Sequence, residues 1–250
     1  MKGLVKNCLR SVFDSRDLPE HEIIVVDNDS KDNIEQMLAE QFPTVRFIQT
    51  GVNLGMGGGA NIGIKNALGE YVLILNPDIL VFENSISEML KYLDENRQIG
   101  LLAPKLLNPD GTLQYTCYRY HNFLTPFCRR TLVGNFSFGQ KELARFLMYD
   151  YDHETAREVD WLQGSCLLAR SEVWQKVNYF SEEYFMYFED TDLCRKIKKE
   201  NLQIVYFPLT SVIHFHRRQS AGSLWKMLTN RLAWVHLRSW LKYELKWKRL

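Results

Sequence analysis

Apolar positions recur along the first hundred residues with two alternating periods. Leu4, Val5, Cys8, Leu9, Val12 and Phe13 share one face at helical spacing and predict a helix that opens the chain. After Pro19, Glu22–Asp27 reads as a buried strand with Asp27-Asn28-Asp29-Ser30 as its polar exit, followed by a helix at roughly Asn33–Gln41 and a short strand at Val45–Gln49. Tyr71–Phe82 is the strongest apolar run, broken at Asn76-Pro77-Asp78. Its branched residues predict a strand buried on both faces of a parallel sheet. Pro77 gives no N–H to a ladder and biases Asn76 towards extended backbone, so Asp78 should project just past the carboxyl end of that strand. Open α/β sheets bind ligands at that edge, although Asn-Pro-Asp is equally ordinary turn chemistry.

Between these strands lies Gly51-Val-Asn53-Leu-Gly55-Met-Gly57-Gly58-Gly59-Ala-Asn61-Ile-Gly63, with a helix expected to start at Asn61 and end at Gly69. Glycines before a helix amino terminus suit a backbone that approaches an anionic ligand closely, or a merely flexible loop. Ser85 and Glu88 have capping-box spacing for a helix to about Asn96, Gly100–Leu107 predicts a strand, and Asn108-Pro-Asp-Gly111 a turn. Residues 115–151 are irregular, aromatic and basic, and read either as a lobe beside a cleft or as a plain surface excursion. Order returns with Val159–Ser165, the apolar Cys166–Ala169, a helix from Ser171, a helix from the acidic Glu189-Asp190-Thr-Asp192, a strand at Leu202–Phe207, and Ser211–His216. The alternation predicts an α/β fold with a mostly parallel, doubly wound sheet flanked by helices.

Composition narrows the class without naming an activity. At 250 residues, 46% hydrophobic and 24% charged, the chain is globular, with material for one large core plus an appendage. Five cysteines, odd in number and without a C-x-x-C pair, read as reduced thiols of a cytosolic compartment. Neither a secretory leader nor an 18-residue apolar run is recognisable. The net charge of +1 is lopsided: residues 217–250 hold nine Lys and Arg against one acid, Glu244. There Leu224, Leu228, Leu232 and Val235 take helical spacing, interleaved with Trp225, Trp234, Trp240, Tyr243 and Trp247. Such a tail, 223–250, suits a helix on the inner face of an anionic membrane, and equally a helix packed on the domain with a solvated basic face. Nucleic acid is not expected, because no recognition motif accompanies the basic residues.

Taken in order, Val26-Asp27-Asn28-Asp29-Ser30, Asn53-Leu-Gly55-Met-Gly57-Gly58-Gly59, Leu75-Asn76-Pro77-Asp78, Leu106–Gly111, Asp160-Trp161 with Gly164, Phe185–Cys194 and Val212-Ile-His214 resemble the inverting family 2 nucleotide-sugar glycosyltransferases, most closely their rhamnosyltransferase-like branch. The resemblance spans about residues 1–220. It implies a glycosyltransferase A-type domain, its nucleotide-binding half at about 1–110 and its acceptor half at about 111–220, with 221–250 as a helical tail. It also implies a nucleoside-diphosphate sugar donor, a saccharide or polyprenyl-linked acceptor, and a role in cell-surface polysaccharide synthesis. Residue by residue, it implies donor contacts at Asp27, Asn28, Asn53, Gly55, Gly58, Asn61 and Asn76. Asp78 and His214 would hold Mg²⁺ or Mn²⁺, Asp190 would be the catalytic base, and Trp161, Gly164, Glu189 and Asp192 would meet the acceptor.

That chemistry suits these residue types. A hard cation held by one carboxylate and phosphate oxygens neutralises a departing diphosphate. A positioned carboxylate that deprotonates the attacking hydroxyl contributes roughly 10²–10⁴-fold, and a single base opposite the leaving group implies inversion. Each residue also has a structural reading. The acidic run suits a first helical turn, His214 a buried structural histidine, and Trp161 a core position. Family members normally begin with a mid-sheet apolar strand that walls the base pocket, and Met1 falls after it. A fragment, or a fold that closes without that strand, is therefore expected. Two rival readings follow: an inactive relative that keeps the fold, and a dinucleotide-binding protein, because Gly55-x-Gly57-x-x-Ala60 follows a strand and precedes Asp78 by 18 residues or more.

Overall fold

The computed structural model describes residues 1–215 and 231–248. The first half supplies α1 (Lys2–Phe13), β1 (Ile24–Asp27), α2 (Ile34–Gln41), β2 (Arg46–Gln49), α3 (Gly55–Asn66), β3 (Tyr71–Leu75), β4 (Ile79–Val81), α4 (Ser85–Glu95) and β5 (Ile99–Leu107). A lobe follows, with β6 (Leu113–Gln114), β7 (Cys117–Tyr118), α5 (Thr125–Arg130), a 3₁₀ turn at Leu132–Asn135 and α6 (Ser137–Phe146). The chain continues through β8 (Arg157–Glu158), β9 (Trp161–Leu162), β10 (Cys166–Arg170), α7 (Ser171–Lys176), α8 (Glu189–Lys199), β11 (Gln203–His214) and α9 (Arg231–Lys248).

The large sheet runs β3-β10-β5-β11-β4 and is mixed. Only β5 and β11 on this path run parallel, whereas β10 is antiparallel to β3 and β5, and β4 is antiparallel to β11. This corrects the mostly parallel sheet expected from the alternation. Hydrophobic periodicity reports burial, and burial does not encode the direction in which a crossover returns. Two cores cover the sheet, one gathered around Trp174, Leu193, Ile197 and Tyr206 and the other around Met89, Leu93, Leu102 and Val212.

The strand predicted to be buried on both faces, β3, is half-buried at all five positions. Its geometry gives the reason. Asn76 donates its N–H to Ser165 O at 2.9 Å and Glu70 O accepts from Ser171 N at 2.7 Å, so alternate backbone groups face β10. Those of Tyr71, Leu73 and Leu75 therefore point the other way. On β1, Ile23 O accepts from Arg46 N and Asp27 O from Thr50 N, which leaves Ile24 and Val26 pointing away from β2. Among the described residues no strand pairs with either edge, and β1-β2 forms a separate two-stranded sheet.

The capping box is also replaced. Ser85 Oγ accepts from Phe82 N and donates to Ser211 O at 2.7 Å, stitching α4 to β11 instead of capping its own helix.

Candidate active site

Antiparallel pairing of β4 with β11 sets Ile79 opposite His214, and Phe215 N donates to Asp78 O at 2.9 Å. His214 Nε2 consequently stands 3.5 Å from Asp78 Oδ1. Gln114, on the two-residue β6, fixes the ring. Its Nε2 donates to Asn108 Oδ1 at 2.7 Å and to His214 O at 2.8 Å, and its Oε1 lies 2.9 Å from His214 Nδ1. With the amide nitrogen committed to two acceptors, Oε1 accepts from Nδ1–H, and a neutral ring turns Nε2 towards Asp78 as a second acceptor. Two acceptors facing each other at this distance suit a cation between them. The set is sparse: among the described residues no three His, Cys, Asp or Glu side chains gather as a metal cage. It fits a hard divalent ion that completes its shell with phosphate oxygens and water.

The acidic run forms the first turn of α8, entered through Tyr187 and Phe188, both left-handed at φ 70°. Two non-glycine residues in that region are strained, and Phe188 is held there by burial against Tyr184, Trp240 and Tyr243. Asp190 Oδ1 accepts from Thr191 N at 2.8 Å and Oδ2 from Gly164 N at 3.3 Å. Burial nevertheless pushes Asp190 up to about 6, against those two N–H groups. Glu189 is pushed up further, by burial first and then by the charge of Asp190. Its Oε2 is buried and without a hydrogen-bond partner, as a protonated acid tolerates better than an anion. Neighbouring environments thus separate the two acids, and Asp190 ionises first.

One turn joins the two centres. Gly164 holds Asp190, and Ser165 accepts from Asn76, two residues before Asp78.

The glycine cluster is not a loop. Apart from the exposed Gly51, its glycines lie inside α3, which starts at Gly55 instead of the expected Asn61, and Gly55, Gly57, Gly58 and Gly59 are buried against protein. A Cβ on Gly55, at φ +79°, would sit 2.0 Å from Phe185 O, and one on Gly58 would meet Leu54 Cβ at 2.8 Å. Gly55 lets α3 approach the acidic loop, and Gly58 makes room for the Leu54 side chain; both pack against protein. This also removes the dinucleotide fingerprint, whose glycines must face a pyrophosphate. Asn61 is buried and fully engaged, donating to Phe180 O and Glu182 Oε1 and accepting from Phe180 N, all at 2.9–3.0 Å. Asn28 brackets the same region, donating to Gly55 O at 2.8 Å and accepting from Leu54 N at 2.9 Å. Both asparagines are tied to the protein by these hydrogen bonds. Asp27 is buried and caps its own loop through Ser30 N. Asn53 is exposed beside that turn, and Asn76 is half-buried at the carboxyl end of β3.

The expected acceptor residues fare similarly. Trp161 is core: it stacks on Tyr118 at 4.3 Å and donates to Arg119 O at 3.1 Å. Gly164 is buried and occupied with Asp190, and Glu189 is 4% exposed. Asp192, fully buried, accepts from Trp247 Nε1 and pairs with Lys246 Nζ, each at 2.8 Å, and so anchors α9. Burial works against the charge of Lys246, but its hydrogen bonds to Asp192 and Glu183 outweigh that and raise its pKa. Trp240 and Tyr243, expected equally at a membrane or in a packed helix, face the domain, with Arg195 Nε donating to Tyr243 OH at 2.6 Å. Leu224, Trp225 and Leu228 lie outside the described residues. Gln114, Lys246 and Trp247 took no site role in the sequence reading; an isolated Gln after a turn carries no signal.

Comparison with known proteins gives the family. Residues 2–162 match the Glycosyl transferase family 2 profile, and the chain belongs to that family of glycosyltransferases. It is 31% identical over 220 residues to an N-acetylglucosaminyl-diphospho-decaprenol L-rhamnosyltransferase of Mycobacterium tuberculosis, covering 80% of this chain and 68% of that protein. It is 26% identical to the rhamnosyltransferase WbbL of Escherichia coli, covering 90% of this chain and 82% of the relative. Among solved structures, the mannosyltransferase PcManGT of Pyrobaculum calidifontis, in complex with GDP-Man and Mn²⁺, superposes with a TM-score of 0.60 at 15% identity. That match covers 91% of this chain and 57% of the mannosyltransferase, and it establishes the glycosyltransferase A-type fold.

Proposed function

We propose that the chain transfers a sugar from a nucleoside diphosphate to a hydroxyl of a saccharide or lipid-linked acceptor, with inversion, in cell-surface polysaccharide synthesis. L-Rhamnose is the first sugar to test, because two relatives are named rhamnosyltransferases. The observation that carries the reading is the Asp78–His214 pair, tied through Asn76, Ser165 and Gly164 to a carboxylate of raised pKa. Asp78 and His214 would hold Mg²⁺ or Mn²⁺, whose charge, when bound, stabilises the leaving diphosphate. Gln114 orients the His214 ring through Nδ1, as outer partners of metal-binding histidines do. Asp190 takes the proton of the acceptor hydroxyl, and Glu189, kept neutral, adds no competing charge beside it. Asn53 and Asn76 are the polar side chains offered to the donor. The retained pairing of Asp78 with His214 favours an active enzyme over an inactive relative. The test is release of nucleoside diphosphate from a panel of nucleotide sugars with Mn²⁺ and a polyprenyl-diphosphate sugar acceptor, with rhamnose donors expected to lead. Release from no donor by wild type would refute the reading.

A further inference from the structure

The inner face of α9 grips the acidic loop, but its outer face is made of another set of residues. Arg231, Trp234, Leu237, Arg238, Leu241, Leu245 and Lys248 are its exposed positions, at helical spacing. All are apolar or basic. Trp234 is 56% exposed and Leu245 59%. An 18-residue helix extends about 27 Å, and these apolar and basic positions run along it.

The lobe between β7 and β8 repeats the pattern. Between positions 122 and 141 the exposed large residues are Phe123, Leu124, Phe127, Leu132, Phe136 and Phe138, with Leu132 at 70% and Phe136 at 60%. Arg129 and Lys141 are exposed among them, and the segment contains no Asp or Glu. The next acid, Glu142, is buried and paired with Arg145. The two elements meet: Phe123 lies 5.6 Å and Phe127 6.0 Å, ring to ring, from Trp240, and Lys248 Nζ stands 5.5 Å over Phe123. Between them runs a groove of about 200 Å³ lined by Phe123, Trp240, Leu241, Glu244, Leu245 and Lys248.

We propose that α9 and the α5–α6 lobe together form a docking face for an anionic lipid bilayer. Charge complementarity selects the occupant. A face of leucine and aromatic side chains, with exposed basic groups and only the half-buried Glu244 as an acid along its groove, matches the boundary of acyl chains and negative headgroups. No helix among the described residues is long and apolar enough to cross a membrane. The opposite side of α9 holds the acidic loop through Ser239 Oγ donating to Met186 O and Trp247 donating to Asp192. Docking therefore brings the base-bearing loop near the bilayer. This inference rests on exposed residues outside the donor site and stands apart from the proposed reaction.

The test is sedimentation of the full chain with vesicles of phosphatidylcholine alone or with 30% phosphatidylglycerol, without donor, metal or acceptor. Wild type is expected to bind the anionic vesicles at least tenfold more tightly, with binding weakened by salt. Leu241→Glu with Leu245→Glu on α9, and separately Leu132→Glu with Phe136→Glu on the lobe, should each reduce binding tenfold or more. Leu68→Glu, an exposed leucine on another surface, should leave it unchanged. Thermal melts check that each variant is folded; if a Glu pair unfolds, the Ser pair at the same positions replaces it. Absence of binding by wild type, equal binding to neutral vesicles, or indifference to either pair of substitutions would overturn the proposal. So would a concentration-dependent dimer, seen by sedimentation velocity, that the α9 substitutions dissolve.

Discussion

Gly164 offers its backbone N–H to Asp190 Oδ2 at 3.3 Å, so a residue with no side chain holds the carboxylate assigned the proton transfer. Asp190→Asn keeps the shape and removes the base. The expected result is a loss of kcat of roughly 10²–10⁴-fold with little change in nucleotide affinity, measured by product release and calorimetry.

The pH profile follows from the same acid. Asp190 must be ionised to accept a proton, and burial sets it near 6. Log kcat should therefore fall with unit slope on the acid side of about pH 6, instead of near the ordinary carboxylate value, in a stopped assay across pH 4.5–8.

Glu189 gives a stability prediction of definite sign. Its native pKa is raised above that of the unfolded chain, so the native state binds its proton more tightly. The resulting stabilisation is complete below the unfolded value of about 4.3 and is lost as pH rises through the native value. Wild-type Tm should decline from pH 5 to pH 9, and Glu189→Gln should flatten that decline. Parallel curves for the two proteins would contradict the assignment.

Much of the fold was legible, because burial imposes periodicity on sequence. The helix expected from Glu189-Asp190-Thr-Asp192 forms, burying Leu193 and Ile197, and the turn at Asn108–Gly111 closes with its 2.9 Å hydrogen bond. The pairing of Asp78 with His214 came from the resemblance, since the two are joined only by a strand register that no local pattern reveals. The sequence is ambiguous where one residue type serves either a ligand or the protein. Asn61, Asn28 and the glycines of α3 are polar or small because Phe180, Leu54 and Phe185 crowd them. Asp192 is acidic because Lys246 and Trp247, more than fifty positions away, converge on it.

Gly55 tests that packing account. At φ +79°, with Phe185 O where a Cβ would stand, Gly55→Ala should destabilise the fold by about 3 kcal/mol or more, read from urea melts. A flexible ligand loop would tolerate the change.

Gln114 is the positioning residue for His214. Gln114→Ala frees the imidazole to adopt the other tautomer and should weaken Mn²⁺-dependent nucleotide binding by 10–100-fold, with Asp190 and its pH profile untouched. An unchanged affinity would assign Gln114 to fold alone.

The most direct measurement is the thermal shift of wild type, Asp78→Ala and His214→Ala with a nucleoside diphosphate, with and without Mn²⁺. A ligand that binds only the native state raises Tm, by about 2.7 kcal/mol of stability at a hundredfold excess over Kd. The account predicts a rise for wild type only when nucleotide and Mn²⁺ are present together, abolished in Asp78→Ala and reduced in His214→Ala. An equal rise in all three proteins, or none in wild type, would contradict it.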